Sequence, residues 1–229
     1  MPLITGQQIV DRAWIKAMDT NGGSGIRWPA DEELRWLNDG QREVVNQLPS
    51  AYTLSANPTV VAGTRQTLAG LGLTTGIQFI DVPRNFNLAG TVPGRAITLR
   101  KREWFDDNRP AWHNEVAAEA MHFVMDPRDP KAIYLYPAIT SGKIEVIYSA
   151  APPDLGSLAA VISIDDIYAN ALQFFMLFSM YSKDASYTNA PAKAGAYFQM
   201  FMQSLGKKAE NTMANVAMAA AASSAGVSQ

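Results

Sequence analysis

The chain has 229 residues, a net charge of −2, a pI near 5.7 and no cysteine. Its length is sufficient to bury a core without disulfides, and the missing thiols exclude a disulfide framework and a thiolate metal site. The small negative charge lacks the basic excess that is typical of proteins that bind nucleic-acid phosphates.

Two helices are predicted near the N-terminus. Thr5 and Gln8 have the spacing of a capping box, and an apolar stripe follows as far as Asp19. After a glycine-rich loop, Pro29 stands in a first helical turn ahead of three acids, and the 3.6-residue period continues to Pro49. Gly40 lies inside this second helix, where it costs about 1 kcal/mol relative to alanine unless a neighbour packs against it.

The periodicity between Ala51 and Ala160 is extended, which predicts a β-rich insertion. Turn residues separate its segments, as at 126–130 and 140–142. The last three segments are expected to be antiparallel neighbours. The candidate strands are Thr59–Ala62, Arg65–Leu68, Ile77–Val82, Ala96–Trp104, Ala132–Pro137 and Lys143–Ser149.

Two further helices are predicted after the insertion. Ser163 and Asp166 have capping-box spacing, so a helix is expected to begin near Ile164. From Ala169 to Tyr181 it is apolar on nearly every face, which is typical of a helix packed on several sides. This run is too short to cross a bilayer and no leader pattern opens the chain, so we expect a soluble, unsecreted protein. The next helix is expected to form a hairpin with this one.

The sequence predicts no catalytic, cofactor or metal site. His113 and His122 have no partner at metal-ligand spacing. Arg100-Lys101-Arg102 beside Trp104 has two interpretations: a small nucleic-acid patch, or charges that keep a strand edge from pairing, which is the commoner case.

Several separated phrases together resemble the tailed-phage adaptors, head-to-tail connectors that sit under the portal. They agree in order over Thr5 to about Leu205, which makes the resemblance specific. The phrases are Arg27-Trp28-Pro29 with Leu37–Glu43, Ala62–Leu68, Asp81–Asn85, Asp126–Pro130, and Asp165–Leu172 with Tyr181–Ala185.

The resemblance implies an α+β fold: an antiparallel four-helix bundle with a β-rich insertion between helices 2 and 3 and an extended C-terminal tail, similar to tail tubular protein A of short-tailed phages. The expected domains are 1–50 with 161–212 for the bundle, 51–160 for the insertion and 213–229 for the Ala/Ser-rich tail, which cannot bury enough surface to order itself.

The function that the resemblance implies is structural. Such adaptors form a homo-oligomeric ring, usually a dodecamer, that joins the portal protein to a tail or nozzle protein. DNA passes through the ring without specific binding, there is no membrane partner, and the protein is a virion component at the head-tail junction, assembled in the host cytoplasm.

The resemblance also directs attention to two sets of residues. The tail is expected to bind the portal through Met213, Val216, Met218 and Val227, although an unbound terminus explains the same composition. The helix from Ile164 is expected to pack against a neighbouring subunit through Tyr168, Phe174, Phe178 and Tyr181.

Two other classes of function remain open from the sequence. One is a tail-associated hydrolase, whose only plausible polar cluster is Asp106, Asp107 and His113. The other is a host-surface binding module formed by residues 51–160.

Overall fold

A computed structural model describes residues 3–17, 28–184 and 189–206 of the chain. These residues fall into two compact units. The helical unit contains the described residues up to Ala51 and from Pro152 onward, and the β unit is Tyr52–Ala151.

The described residues form five α-helices, of which all but the third belong to the helical unit. The exception is the shortest and lies among the strands. The helices are α1 (Gly6–Ala17), α2 (Ala30–Gln47), α3 (Arg102–Asn108), α4 (Ala169–Lys183) and α5 (190–206).

The capping box predicted ahead of α1 is confirmed. The Thr5 backbone N–H donates to Gln8 Oε1 at 3.1 Å, and the Gln8 N–H donates to Thr5 Oγ1 at 3.3 Å. Both bonds use donors that the first turn of a helix leaves without a partner in the helix itself.

The capping box predicted at Ser163 and Asp166 is wrong. Asp165 takes the capping role, accepting the Ile167 N–H at 2.9 Å, and a 3₁₀ turn at 166–168 precedes α4. The Asp166 carboxylate instead accepts the backbone N–H groups near Leu3, and the Ser163 hydroxyl donates to a carbonyl ten residues earlier. Adjacent aspartates offer two similar caps, and tertiary contacts select between them.

The helical unit is organised around α4. Its side chains at 172, 176, 177 and 180 are fully buried, and α1 and α2 both pack on it while contacting each other only sparsely. The rings of Phe175 and Phe178 lie 5.4 and 5.1 Å from those of Phe201 and Phe198 on α5.

The predicted four-helix bundle is therefore wrong. The described residues form five helices and three sheets, and α3 lies in the β unit. A bundle needs helices that each present one apolar stripe to a shared core. Because α4 is apolar around most of its circumference, its neighbours pack on it from separate sides.

Gly40 marks the closest approach of α2 to α4. A Cβ atom at this position would lie 2.9 Å from Phe175 Cδ1 and 3.3 Å from Leu172 Cδ2. The absence of a side chain lets the two helices pack at this distance, which offsets the conformational cost of glycine in a helix.

Two buried amides of α2 hold the chain where it returns from the β unit. Asn38 accepts the Leu155 N–H at 2.8 Å and donates to the Leu155 carbonyl at 3.3 Å. Gln41, 1% exposed, accepts the Ser163 N–H at 2.6 Å. These bonds replace main-chain pairing for a segment that is neither helix nor strand.

The β unit contains ten strands. Burial alternates along Thr53–Ala56 and Gly63–Thr67, as expected for strands with one face on a core, whereas Ala132–Ile139 is buried at seven of its eight positions. The strands are β1 (Thr53–Ala56), β2 (Gly63–Thr67), β3 (Gly76–Asp81), β4 (Arg84–Phe86), β5 (Pro93–Ala96), β6 (Thr98–Leu99), β7 (His122–Met125), β8 (Ala132–Ile139), β9 (Lys143–Ile144) and β10 (Val146–Ala150).

The strands form three sheets, in the orders β1-β10-β3, β2-β8-β7-β6 and β5-β4-β9. All pairs are antiparallel except β6 with β7. A shared apolar core, with Phe123, Ile133, Leu135 and Ile144 at its most buried positions, joins residues from each sheet.

Several strand predictions fail here. Thr59–Ala62 forms only an isolated bridge. The candidate Ala96–Trp104 contains the last residue of β5, both residues of β6 and the start of α3. The last three candidates do not pair with one another: β6 and β8 share a sheet but are separated by β7, and β9 and β10 belong to the other two sheets. Glu145 separates β9 from β10, so Lys143–Ser149 contributes to two sheets.

Substitution of Gly40 by valine should destabilise the protein. The new side chain would overlap Phe175 and Leu172, so we expect the free energy of unfolding to fall by about 1–3 kcal/mol. Urea unfolding measures this. Asn46→Val is the matched control on the exposed face of the same helix, and an equal loss in both variants would show that only helix propensity matters.

Substitution of Asn38 by alanine should cost about 1–3 kcal/mol of unfolding free energy, because it leaves buried backbone groups of Leu155 without partners. Urea unfolding of Asn38→Ala beside Asn46→Ala separates this loss from the effect of alanine on the helix. If Asn38→Ala unfolds like wild type, the buried amide does not hold the returning chain.

Candidate assembly surfaces

The four residues predicted at a subunit interface differ in their exposure. Tyr168 and Tyr181 are only 6% and 5% exposed, so their rings are part of the core of the helical unit. Phe174 and Phe178 are partly buried and retain some exposed surface. A subunit contact through this helix stays a prediction, and the two phenylalanines are the members that a neighbouring molecule can still reach.

The four residues predicted to bind the portal are Met213, Val216, Met218 and Val227. All of them lie outside the described residues.

Three strongly exposed aliphatic residues line one shallow depression of the β unit. Leu88, Val92 and Val116 are 70, 58 and 61% exposed, and Glu119 supplies the only charge in the lining. We call these three residues the hairpin patch, because the first two lie in the loop between β4 and β5. A cluster of exposed aliphatic side chains is typical of a contact surface.

The loop that presents the hairpin patch is held by its own polar groups. Asn87 Oδ1 accepts the N–H groups of Thr91 at 2.9 Å and Val92 at 3.2 Å. Gly90 has a φ of 76°, which glycine adopts without strain. Leu88 is therefore displayed on a fixed turn. Sequence reasoning missed this surface, and the turn residues Asn87 and Gly90 were the available signal.

A second candidate surface follows the free edge of β6. Arg100, Lys101 and Arg102 come directly after this strand, and Arg128 lies across a depression that Lys101 and Arg102 also line. We call these four residues the basic edge. Since β6 pairs only with β7, the location agrees with the interpretation that the charges protect a strand edge. Arg102 already belongs to α3, so the basic edge also extends beyond the strand.

Large apolar side chains accompany the basic edge. Leu99 is 59% exposed and Trp104 is 43% exposed, and the Arg100 guanidinium carbon lies 5.8 Å from the centre of the Trp104 ring. This distance permits a cation–π interaction, which holds both groups at the surface.

A cluster of buried aromatic side chains, which includes Phe105 of α3, anchors this helix in the β unit. Phe105 and Trp112 are 0% and 1% exposed, and the Phe105 ring lies 4.7 Å from that of Tyr136. Asp106 connects this cluster to the basic edge: its carboxylate accepts the Trp112 indole N–H at 3.0 Å and the Arg102 Nε–H at 3.2 Å. The hydrogen bond from Trp112 and the charge of Arg102 lower the pKa of Asp106, despite an opposing effect of desolvation.

The Tyr136 hydroxyl joins the same cluster to an ion pair. It accepts from Arg109 at 2.6 Å and donates to Glu115 Oε2 at 2.5 Å, while Arg109 and Glu115 lie 2.9 Å apart. Burial, followed by the hydrogen bond to Glu115, raises the pKa of Tyr136. The network stabilises the segment that leads out of α3.

The pKa of His122 is affected by burial and by nearby cations. Burial lowers the pKa of His122, and the positive charges of Arg100 and Arg95 lower it further, against a smaller opposing effect of Thr98. Arg100 and Arg95 therefore lie close enough to His122 to disfavour its protonated form.

The cluster considered for hydrolysis is not assembled as acid–base machinery. Asp106 is held by Trp112 and Arg102, and Asp107 is exposed. The His113 ring stacks on Trp112 at 3.7 Å with Nδ1 2.9 Å from Thr64 Oγ1, and within the described residues no hydrogen bond joins it to either aspartate. The geometry of these side chains is that of structural contacts.

Two further features are absent from the described ranges. Within them, no group of three or more His, Asp or Glu side chains is arranged to bind a metal ion. None of the helices there has the length and hydropathy needed to span a membrane.

Comparison with known families gives one match. The family model described as SU10 adaptor protein matches residues 4–225, nearly the entire chain. No curated protein matches the sequence.

Replacing Asn87 by alanine should loosen the turn that presents the hairpin patch. The N–H groups of Thr91 and Val92 lose their acceptor, so their amide exchange should accelerate roughly fivefold, the effect of about 1 kcal/mol. Hydrogen exchange resolved by NMR measures both amides. Leu88→Ala, which leaves the bonds intact, serves as the control, and unchanged exchange in Asn87→Ala would contradict the assignment.

Proposed function

The chain belongs to the SU10 adaptor protein family, and from this premise we propose that it forms a ring that joins the portal to the tail of a phage. Membership in an adaptor family makes the chain a phage structural protein and a component of the virion. That match over residues 4–225 is the observation that carries the proposal.

A ring of identical subunits needs two different surfaces on each copy, because head-to-tail contacts close only when unlike surfaces meet. The chain offers exposed apolar side chains in both units. Ile15 on α1 is 75% exposed, Phe174 and Phe178 on α4 are partly exposed, and the hairpin patch belongs to the β unit. We assign Phe174 and Phe178 to the contact between subunits, with Tyr168 and Tyr181 supporting them from inside the helical unit.

The ring is expected to be twelve-fold, as in adaptors similar to tail tubular protein A. Affinity then comes from many modest contacts that are repeated around the ring, which is avidity. A protein of this kind needs rigid surfaces and no reaction centre, and the structural contacts made by Asp106 and His113 agree with that role.

The portal contact is assigned to the C-terminal segment. Met213, Val216, Met218 and Val227 are the apolar residues of a sequence that is otherwise mostly Ala and Ser. A segment that orders on binding can follow a large surface at modest affinity. We propose that each copy docks this segment on the portal ring.

The axial channel is proposed to let DNA slide without specific binding. A net charge of −2 suits this role, because fixed basic residues facing the lumen would bind backbone phosphates and slow the DNA. The proposal requires the basic edge to face away from the lumen.

Mass photometry of the purified protein, alone and mixed with the portal ring of the same virus, tests this function. We expect a saturable gain of a fixed number of copies per portal, twelve for the proposed ring. No association at micromolar concentration, in salt where the portal stays intact, would reject the adaptor role.

The C-terminal contact is tested in the same experiment. Replacing Met213, Val216 and Met218 together by serine should weaken portal binding about tenfold, the effect of about 1.4 kcal/mol of lost apolar contact. Ser223→Ala with Ser224→Ala is the control in the same segment. Equal binding by both variants would place the portal contact elsewhere.

A further inference from the structure

Most cations of the basic edge form no ion pair with a carboxylate in the described part of the chain. Within the described ranges, Arg100, Lys101 and Arg128 form no ion pair, whereas Arg102 is paired with Asp106 at 3.2 Å. Charges that protect a strand edge belong on the strand itself. Here the three free cations lie beyond β6, and one of them comes from the separate turn at Arg128.

The surroundings of these cations have the composition of a protein contact surface. Arginine and tryptophan are the residue types most enriched at the energetic centres of interfaces. The Arg100 guanidinium lies over the Trp104 ring, and the preceding residue in the chain, Leu99, is exposed. The charge of Arg100 also helps to lower the pKa of His122, although burial is the larger cause.

The surface is also rigid, which lowers the entropic cost of binding. Trp104 and Arg102 belong to α3, whose Phe105 side chain is fully buried, and the Arg102–Asp106–Trp112 contacts fix the helix to the aromatic cluster. Arg100 and Lys101, which directly precede α3, are therefore attached to a helix that is firmly packed.

The depression that Lys101 and Arg128 line contains charges of both signs and apolar residues. Glu103 and Asp126 line it together with Lys101 and Arg128, and Met125 and Pro127 add apolar surface. A uniform polyanion such as DNA would be repelled by the two fixed carboxylates. A polypeptide can place carboxylates opposite the cations and apolar side chains opposite Met125 and Trp104.

We propose that the basic edge, with Leu99 and Trp104, is a docking surface for an acidic segment of the protein that adjoins this adaptor in the virion. This inference rests on the proposed function and adds the surface and the chemistry of the partner. Carboxylates of that segment pair with Arg100, Lys101 and Arg128, and an apolar side chain packs on Trp104.

Charge reversal tests the proposal in the full-length protein. The probes are the portal ring and the next tail protein of the same virus, each immobilised, with binding followed by surface plasmon resonance at roughly 50 and 300 mM salt. Lys101→Glu with Arg128→Glu should bind one of the two probes at least tenfold more weakly at low salt, mainly through slower association, and with a flatter salt dependence.

The control is Arg12→Glu with Arg35→Glu, which changes net charge equally at exposed cations of the helical unit. It should bind like wild type. Trp104→Ala should weaken the same probe roughly tenfold without altering the salt dependence. Circular dichroism of every variant shows that the fold is retained.

The outcomes separate the two proposals. If wild type binds neither probe, the adaptor function fails, and this inference fails with it. If wild type binds a probe and charge reversal at the basic edge changes nothing, only the docking surface is wrong. A 20-base-pair DNA duplex is the third probe. If wild type binds it and charge reversal abolishes this binding, the basic edge is a nucleic-acid contact and the proposal of an acidic protein segment is wrong.

Discussion

The helical unit depends on two buried amides that act where no regular secondary structure is available. The chain leaves this unit after Ala51 and re-enters it at Pro152, so the connection to α4 must be held by something other than continuous helix. Asn38 pairs with both main-chain groups of Leu155, and Gln41 accepts from Ser163. Because these groups are buried, each lost bond costs the full desolvation of its partner. They fix the segment that leads into α4 against α2, and the glycine contact at Gly40 allows the two helices to approach closely.

Local chemistry was predictable wherever the pattern has one strong solution. Thr5 and Gln8 make the capping box that their spacing predicts, and α2 ends ahead of Pro49. At Asp165 and Asp166 two caps compete, and the choice depends on a main-chain contact with Leu3 from the other end of the chain. Sequence spacing contains no information on such a contact, so the predicted cap was wrong there.

Tertiary arrangement was harder to predict for a related reason. A helix that is apolar on most faces, such as α4, accepts neighbours from several directions, so helix count alone does not define a bundle. In the β unit, strands of two to five residues such as β4 and β6 carry too few side chains for a period to be visible. The hairpin patch and the basic edge both follow from these short strands. The sequence alone shows the charged run at 100–102. The depression that Lys101 and Arg102 line together with Arg128 forms only when the chain folds.

In the hairpin loop, the residues that hold the shape of the turn differ from the residue that the turn exposes. Asn87 and the main chain make the bonds that fix the turn, and Gly90 supplies its one unusual backbone angle. Leu88 contributes to none of these and points its exposed side chain outward. A single substitution there can change size, shape or charge at the tip while the fold stays intact. The tip of the loop can therefore diverge in sequence in small steps without a change of scaffold.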